Sequence, residues 1–140
     1  MLAGVSEQAE LARILRQTRS IAVLGASARP ARASNDIYRY LKATGHYIVW
    51  PVNPNVAEID GDAVYPSLSA LPETPDLVDV FRRRQELPSV LADVLALPQL
   101  PKTLWLQLGL RDEAVATQAR AAGLQVVMDH CIKVDHARWR

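Results

Sequence analysis

The sequence predicts an α/β fold: one domain built on a five-stranded, mainly parallel, doubly wound sheet. Three observations point there. Short apolar runs alternate with amphipathic segments of helical period, the pattern of a parallel sheet covered by helices on both faces. The clearest runs, such as Ile21–Leu24, show no polar alternation, as strands buried on both sides require. The 140 residues, 49% of them hydrophobic, suit one domain with a single core.

Each element has its own signal. Ser6 caps a first helix with Glu7 and Glu10 in its first turn and Leu11, Ile14 and Leu15 on one face. Ile21–Leu24 is the first strand and ends at Gly25. Ser34–Thr44 is a helix with Ile37, Tyr40 and Leu41 on one side and Gly45 as its stop. Tyr47–Trp50 is the second strand, expected to stop at Pro51. The stretch Asn53–Leu71 lacks periodicity; Asp60-Gly61 marks a turn, and Val64-Tyr65 reads as a short edge strand. Leu77–Phe81 is the third strand. Pro88 opens a helix bearing Val90, Leu91, Val94 and Leu95, which Pro98 ends. Thr103–Leu108 is the fourth strand, Asp112–Ala122 a helix closed by Gly123, and Leu124–Met128 the fifth strand. Right-handed connections are expected throughout.

Composition narrows the function classes. A net charge of +1 offers no bulk field for nucleic acid or an anionic membrane. No run approaches the ~20 apolar residues of a membrane span. The first residues lack a secretory signal and the last lack a lipidation motif, so the cytoplasm is the expected location. One cysteine excludes an internal disulfide framework and fits a reducing compartment. Thirteen of the sixteen basic residues are arginine, and several stand close together.

In a doubly wound sheet, ligands bind outside the carboxyl ends of the strands. The residues there are therefore the candidates. After the first strand come Gly25, Ala26, Ser27, Ala28 and Arg29, then Arg32 and Ser34 at the start of a helix. Small residues before a helix let backbone N–H groups approach a phosphate, although an ordinary turn has the same composition. Neither GxGxxG nor GK[ST] is present. After the second strand come Pro51, Asn53 and Pro54, a stiff platform for a flat group or simply a rigid turn. No acid stands there to hold a ribose, which counts against NAD.

After the third strand come Phe81, Arg82, Arg83 and Arg84. Arginine meets phosphate oxygens with two parallel hydrogen bonds and stacks on bases, so the placement favours anion binding over a merely solvated charge run. On an extended segment Arg82 and Arg84 would share one side and Arg83 the other. Gln107 and Gly109 follow the fourth strand; Asp129, His130, Cys131 and Lys133 follow the fifth. The last group reads either as a Cys–His pair or as a half-buried small residue beside surface charges. A metal site is disfavoured by the thin ligand set.

Taken in order, Ile21-Ala22-Val23-Leu24-Gly25-Ala26-Ser27, Pro51-Val52-Asn53-Pro54, Asp79-Val80-Phe81-Arg82-Arg83, Trp105-Leu106-Gln107-Leu108-Gly109 and Met128–His136 resemble the small bacterial and archaeal CoA-binding proteins. These are similar to the CoA-binding domain of the succinyl-CoA synthetase alpha subunit. The resemblance runs from about Leu11 to Arg138. It implies a Rossmann-like fold and coenzyme A, free or acylated, as the ligand. It implies that Gly25–Arg29 hold phosphates, that Asn53 and Pro54 line the nucleotide, and that Phe81, Arg82 and Arg83 cover the adenosine and its phosphates. Gln107 and Gly109 would lie near the pantetheine. The chain departs from many relatives at His130, at Asp135, and at Ala31 and Ala33 beside Arg32.

The synthetase also needs a phosphorylated histidine on a second domain and a partner subunit. A chain of 140 residues has room for neither, and His46, His130 and His136 sit in no matching motif. The expectation is a non-catalytic binder. The alternative is a small enzyme or redox-responsive protein acting on a CoA thioester or thiol through Cys131. Apolar surface near Trp50, Trp105 and Trp139 leaves a homodimer open.

Overall fold

A computed structural model describes residues 6–139; Met1–Val5 and Arg140, which belong to the termini read as free of targeting signals, lie outside the described residues. Helix α1 (Glu7–Gln17) begins as its sequence dictates: the Ser6 hydroxyl accepts the Ala9 N–H at 3.0 Å, and Leu11, Ile14 and Leu15 are buried. Strand β1 (Ser20–Leu24) follows and is buried along its whole length. Then come α2 (Ala33–Thr44) and β2 (Ile48–Val52), a two-residue hairpin of β3 (Glu58–Ile59) and β4 (Asp62–Ala63), and β5 (Leu77–Val80). The chain ends with α3 (Leu87–Leu95), β6 (Thr103–Leu106), α4 (Glu113–Ala121), β7 (Gln125–Val127) and α5 (Ile132–Trp139).

The main sheet has the order β2-β1-β5-β6-β7, and every neighbouring pair is parallel. The order reverses between β1 and β5, which sets the crevice at their carboxyl ends. Helices cover both faces. Ala22, Val78, Val80 and Leu104 pack with residues of α3 and α4, while Ile21, Val23, Leu77 and Trp105 pack with residues of α1, α2 and α5. Among the described residues no helix is long and apolar enough to cross a membrane.

Three expectations are corrected. Pro51 does not stop β2, which runs to Val52. Its strand is an edge strand, and the Pro51 carbonyl accepts the Tyr65 N–H at 3.0 Å. A residue's N and O point to the same side of a strand, so the missing N–H costs no bond to β1. In the segment after β2 the expected turn is present, with Asp60 (φ 50°) and Gly61 (φ 84°) closing the β3–β4 hairpin, but the short strand expected at Val64-Tyr65 lies at Asp62–Ala63, and Tyr65 makes only a single parallel bridge to Val52. Finally, the tail from Ile132 is the helix α5. Its hydrophobic face is short and interrupted by Lys133, Asp135 and His136, so periodicity alone leaves it hidden.

Candidate functional site

The loops after β1, β2, β5 and β6, together with the residue before α5, meet in a cleft with two arms. The larger arm encloses about 630 Å³ and is lined by Gly25, Asn53, Phe81, Arg82, Arg83, Gln107, Gly109 and Cys131 among others. The smaller encloses about 380 Å³ and is lined by Ser27, Arg29, Arg32 and Ser34. Gly25, Ala33, Asn53 and Phe81 border both and form the waist.

The waist is shaped by backbone. Gly25 sits at φ +93°, and a Cβ there would lie 2.0 Å from the Phe81 carbonyl oxygen. Only glycine lets the two strand ends approach this closely. The Gly25 N–H donates to the Val52 carbonyl at 2.8 Å, and the Phe81 N–H to the Leu24 carbonyl at 2.8 Å. Asn53 ties the second loop to the first, donating from Nδ2 to the Ala26 carbonyl at 2.8 Å while its Oδ1 accepts the Asn55 N–H at 2.9 Å. The first loop is braced from below, since Asn35 donates from Nδ2 to the Ser27 carbonyl at 2.8 Å. Arg32 stands at the cap of α2 without a capping side-chain bond, and the acid of the first turn, Asp36, is paired with Lys133.

Arg13, Arg39, Arg83, Arg111 and Arg138 each face a carboxylate. Among the described residues Arg29, Arg32 and Arg82, all on the cleft, have no ion pair, as is true off the cleft of Arg16, Arg19, Arg84 and Arg120; of these arginines Arg82 is set apart by an Nε that is buried without a partner. Arg83 is held by Glu86 at 3.7 Å and is 76% exposed. Arg84 lies off the cleft, because β5 ends at Val80 and Arg84–Glu86 form a 3₁₀ turn. Strand alternation therefore does not govern the triplet.

Cys131 is half-buried on the wall of the larger arm. Its carbonyl accepts the Asp135 N–H at 3.1 Å, so it stands at the start of α5. Two bonds lock this junction to β6: Trp105 Nε1 donates to the His130 carbonyl at 2.9 Å, and the Ile132 N–H donates to Gln107 Oε1 at 3.1 Å.

Other sequence candidates lie elsewhere. Ala26 and Pro51 are buried beneath the loops, and Ala28 and Pro54 are exposed outside the cleft. Lys133 pairs with Asp36 of α2 at 2.9 Å, which raises its pKa, and its ammonium sits over the Tyr40 ring. Trp105 is fully buried and so offers nothing to a dimer face. Sequence reading passed over Ala33, Ile37, Asn55, Leu108 and Leu110, which line the arms. For Leu108 and Leu110 the signal was available, since they flank Gly109 after a buried strand. Asn55 and Ala33 have no chemical signature of their own.

A second groove, about 710 Å³, runs along the β7 edge between α1 and the β7 segment. It is larger than either arm but receives no loop from β1, β2 or β5. Of the arginines that line it, Arg13 is bound to Glu10, whose carboxyl it holds below the usual range, and Arg111 to Glu113, which leaves Arg120 alone without a carboxylate. The strand-end cleft is the better candidate because four strand-end loops converge on it and three of its arginines are unpaired.

The family described as the CoA binding domain matches residues 19–137. An uncharacterised protein of Bacillus subtilis (strain 168), YneT, is 37% identical over 130 residues, which cover 93% of this chain and 94% of YneT. The solved structure of cell-free ID.343 from Thermus thermophilus is 39% identical with a TM-score of 0.87, over 96% of this chain and 100% of that one. A dinucleotide-forming acetyl-coenzyme A synthetase from Ca. Korarchaeum cryptofilum shares the fold at 24% identity and a TM-score of 0.67; the match covers 80% of this chain and 26% of the synthetase. A Rossmann-like parallel sheet, a strand-end cleft and a match over most of the sequence lead to one assignment: the chain belongs to the CoA-binding domain family.

Proposed function

We propose that this chain binds coenzyme A in the strand-end cleft and acts as a binding protein of the cytoplasm rather than a complete catalyst. The observation that carries the reading is the set of three guanidiniums without carboxylate partners, Arg29, Arg32 and Arg82, around one cleft. Arg82 is half-buried with its Nε unpartnered, which is unfavourable for a cation, while Arg29 and Arg32 are exposed and free to meet a ligand; a polyphosphate supplies the charge that all three lack. The uncapped N-terminus of α2 adds a further attraction for phosphate. Gly25, Ser27 and Ser34 then border the phosphates, Asn53 and Phe81 the waist, and Gln107, Gly109 and Cys131 the pantetheine arm.

Calorimetric titration tests this. CoA is expected to bind and NAD to give no heat of binding. Arg82→Ala is expected to weaken CoA by about 1.5–3 kcal/mol, as loss of a charge-assisted bond does. Failure of CoA to bind at millimolar concentration overturns the reading; an unchanged dissociation constant in the variant removes Arg82 from it.

A second reading is favoured by the place of Cys131, whose thiol sits at the N-terminal end of α5 in the pantetheine arm. The Cys131 thiolate would attack the disulfide of oxidised CoA, forming a protein–CoA disulfide and releasing one CoA thiolate. Intact mass after exposure to oxidised CoA is expected to rise by one CoA moiety, and Cys131→Ser to abolish the gain. An unmodified wild-type chain rules this reading out.

A further inference from the structure

We propose that the far end of the larger arm is an acyl-chain subsite, so that the ligand is a CoA thioester with a short aliphatic acyl group rather than free CoA. This rests on the CoA reading above and adds to it the chemistry of the cargo.

The two arms differ in their lining. The smaller carries Arg29 and Arg32 with Ser27 and Ser34, whereas the larger carries Ile37, Leu108 and Leu110 alongside Arg82 and Arg83. Leu108 and Leu110 stand on the loop after β6. Phosphates placed with Arg29 and Arg32 leave the chain of the ligand to extend through the waist into the larger arm, toward Leu108.

Leu108 is 70% exposed, more than any other large apolar side chain among the described residues. A lone exposed leucine is ordinary on a protein surface. This one differs because its loop is fixed. The Leu110 N–H donates to the Gln107 carbonyl at 2.9 Å, and the Gly109 N–H donates to Asp129 Oδ1 at 2.7 Å. Asp129 returns the tie, giving its own N–H to the Leu110 carbonyl at 3.0 Å. It does so at φ 60°, a left-handed conformation that aspartate tolerates better than most residues. Nothing lies within 4 Å of the position a Gly109 Cβ would take, so the space over the loop is clear.

A rigid loop thus presents an apolar side chain at the mouth of a ligand cleft. Pantetheine brings two amides, a gem-dimethyl group and short methylene links, and it ends in a small thiol that covers little apolar surface beyond itself. An aliphatic group on the thiol would cover it, with a gain that grows with each methylene.

The test is calorimetry on the full chain with CoA, acetyl-CoA and butyryl-CoA, repeated for Leu108→Ser. Two fully buried methylenes correspond to about a fifteenfold gain in affinity. The wild type is expected to bind butyryl-CoA about five- to fifteenfold more tightly than acetyl-CoA. In Leu108→Ser that ratio is expected to fall toward one, and Leu108→Met to restore it. CoA binding with no acyl gain in the wild type overturns the proposal alone. So does an equal loss for all three ligands in Leu108→Ser, which would set Leu108 against pantetheine. No binding by any of the three overturns the CoA reading and this proposal with it.

Discussion

Asp79 is the residue whose environment departs furthest from its chemistry. It lies on the central strand β5, in register with Val23 on one side and Trp105 on the other. Its side chain is fully buried and neither carboxyl oxygen has a hydrogen-bond partner. Desolvation pushes its pKa well above the ordinary carboxylate value, because burial disfavours the charged form. The unfolded chain ionises Asp79 near pH 3.9, and the folded chain only at higher pH. Between those points the folded state holds one proton more than the unfolded state. Stability therefore falls as pH rises from about 4, by about 1.4 kcal/mol per pH unit, until the native acid ionises. Asp79→Val removes the term. Denaturant melts at pH 4.5 and 7.5 are expected to show a larger gain for the variant at pH 7.5, whereas equal gains at both would mean that Asp79 titrates normally in the fold. Two residues further along these strands stand Gly25, Phe81 and Gln107, the floor of the cleft. The unsatisfied acid thus lies one layer beneath the proposed site, where natural proteins most often tolerate such a group.

At the scale of elements, the start of α5 forms part of the wall of the larger arm, through Cys131. It is fixed to β6 by the Gln107–Ile132 and Trp105–His130 bonds, and to α2 by Lys133–Asp36. Its far end is held by rings: His136, fully buried, meets Tyr40 Oη at 2.7 Å and His46 Nδ1 at 3.0 Å. Nearby Tyr47 is pushed up to about 12, chiefly by burial. Gln107→Leu leaves the buried Ile132 N–H without its acceptor. The expected cost is about 1–3 kcal/mol of stability in urea unfolding, with weaker CoA binding besides. Unchanged stability would mean that water replaces the side chain. The elements themselves were largely legible in the sequence. Ser6, Gly45, Asp112 and Gly123 mark helix ends because caps and stops are local devices. α5 was not legible, because tertiary contacts rather than an apolar stripe hold it, and the continuation of β2 through Pro51 depended on its being an edge strand.

For the whole molecule, a net charge of +1 conceals a local imbalance: four arginines line the cleft, and only Arg83 among them has a carboxylate partner there, Glu86, which leaves Arg29, Arg32 and Arg82 facing it unpaired. The alternation of buried strands and amphipathic helices by itself determined the α/β class, the approximate positions of the five main strands, and the strand ends as the place to look. These follow from periodicity and capping, which are readable within a window of a few residues. Only the tertiary structure decided the rest. It chose Arg82 over Arg84, moved Lys133 away from the cleft, and buried Trp105. It also set Leu108 at the mouth and left Asp79 without a partner. Those outcomes depend on which chain segments meet across the sheet, and a contact between residues eighty or a hundred positions apart leaves no local trace in the chain.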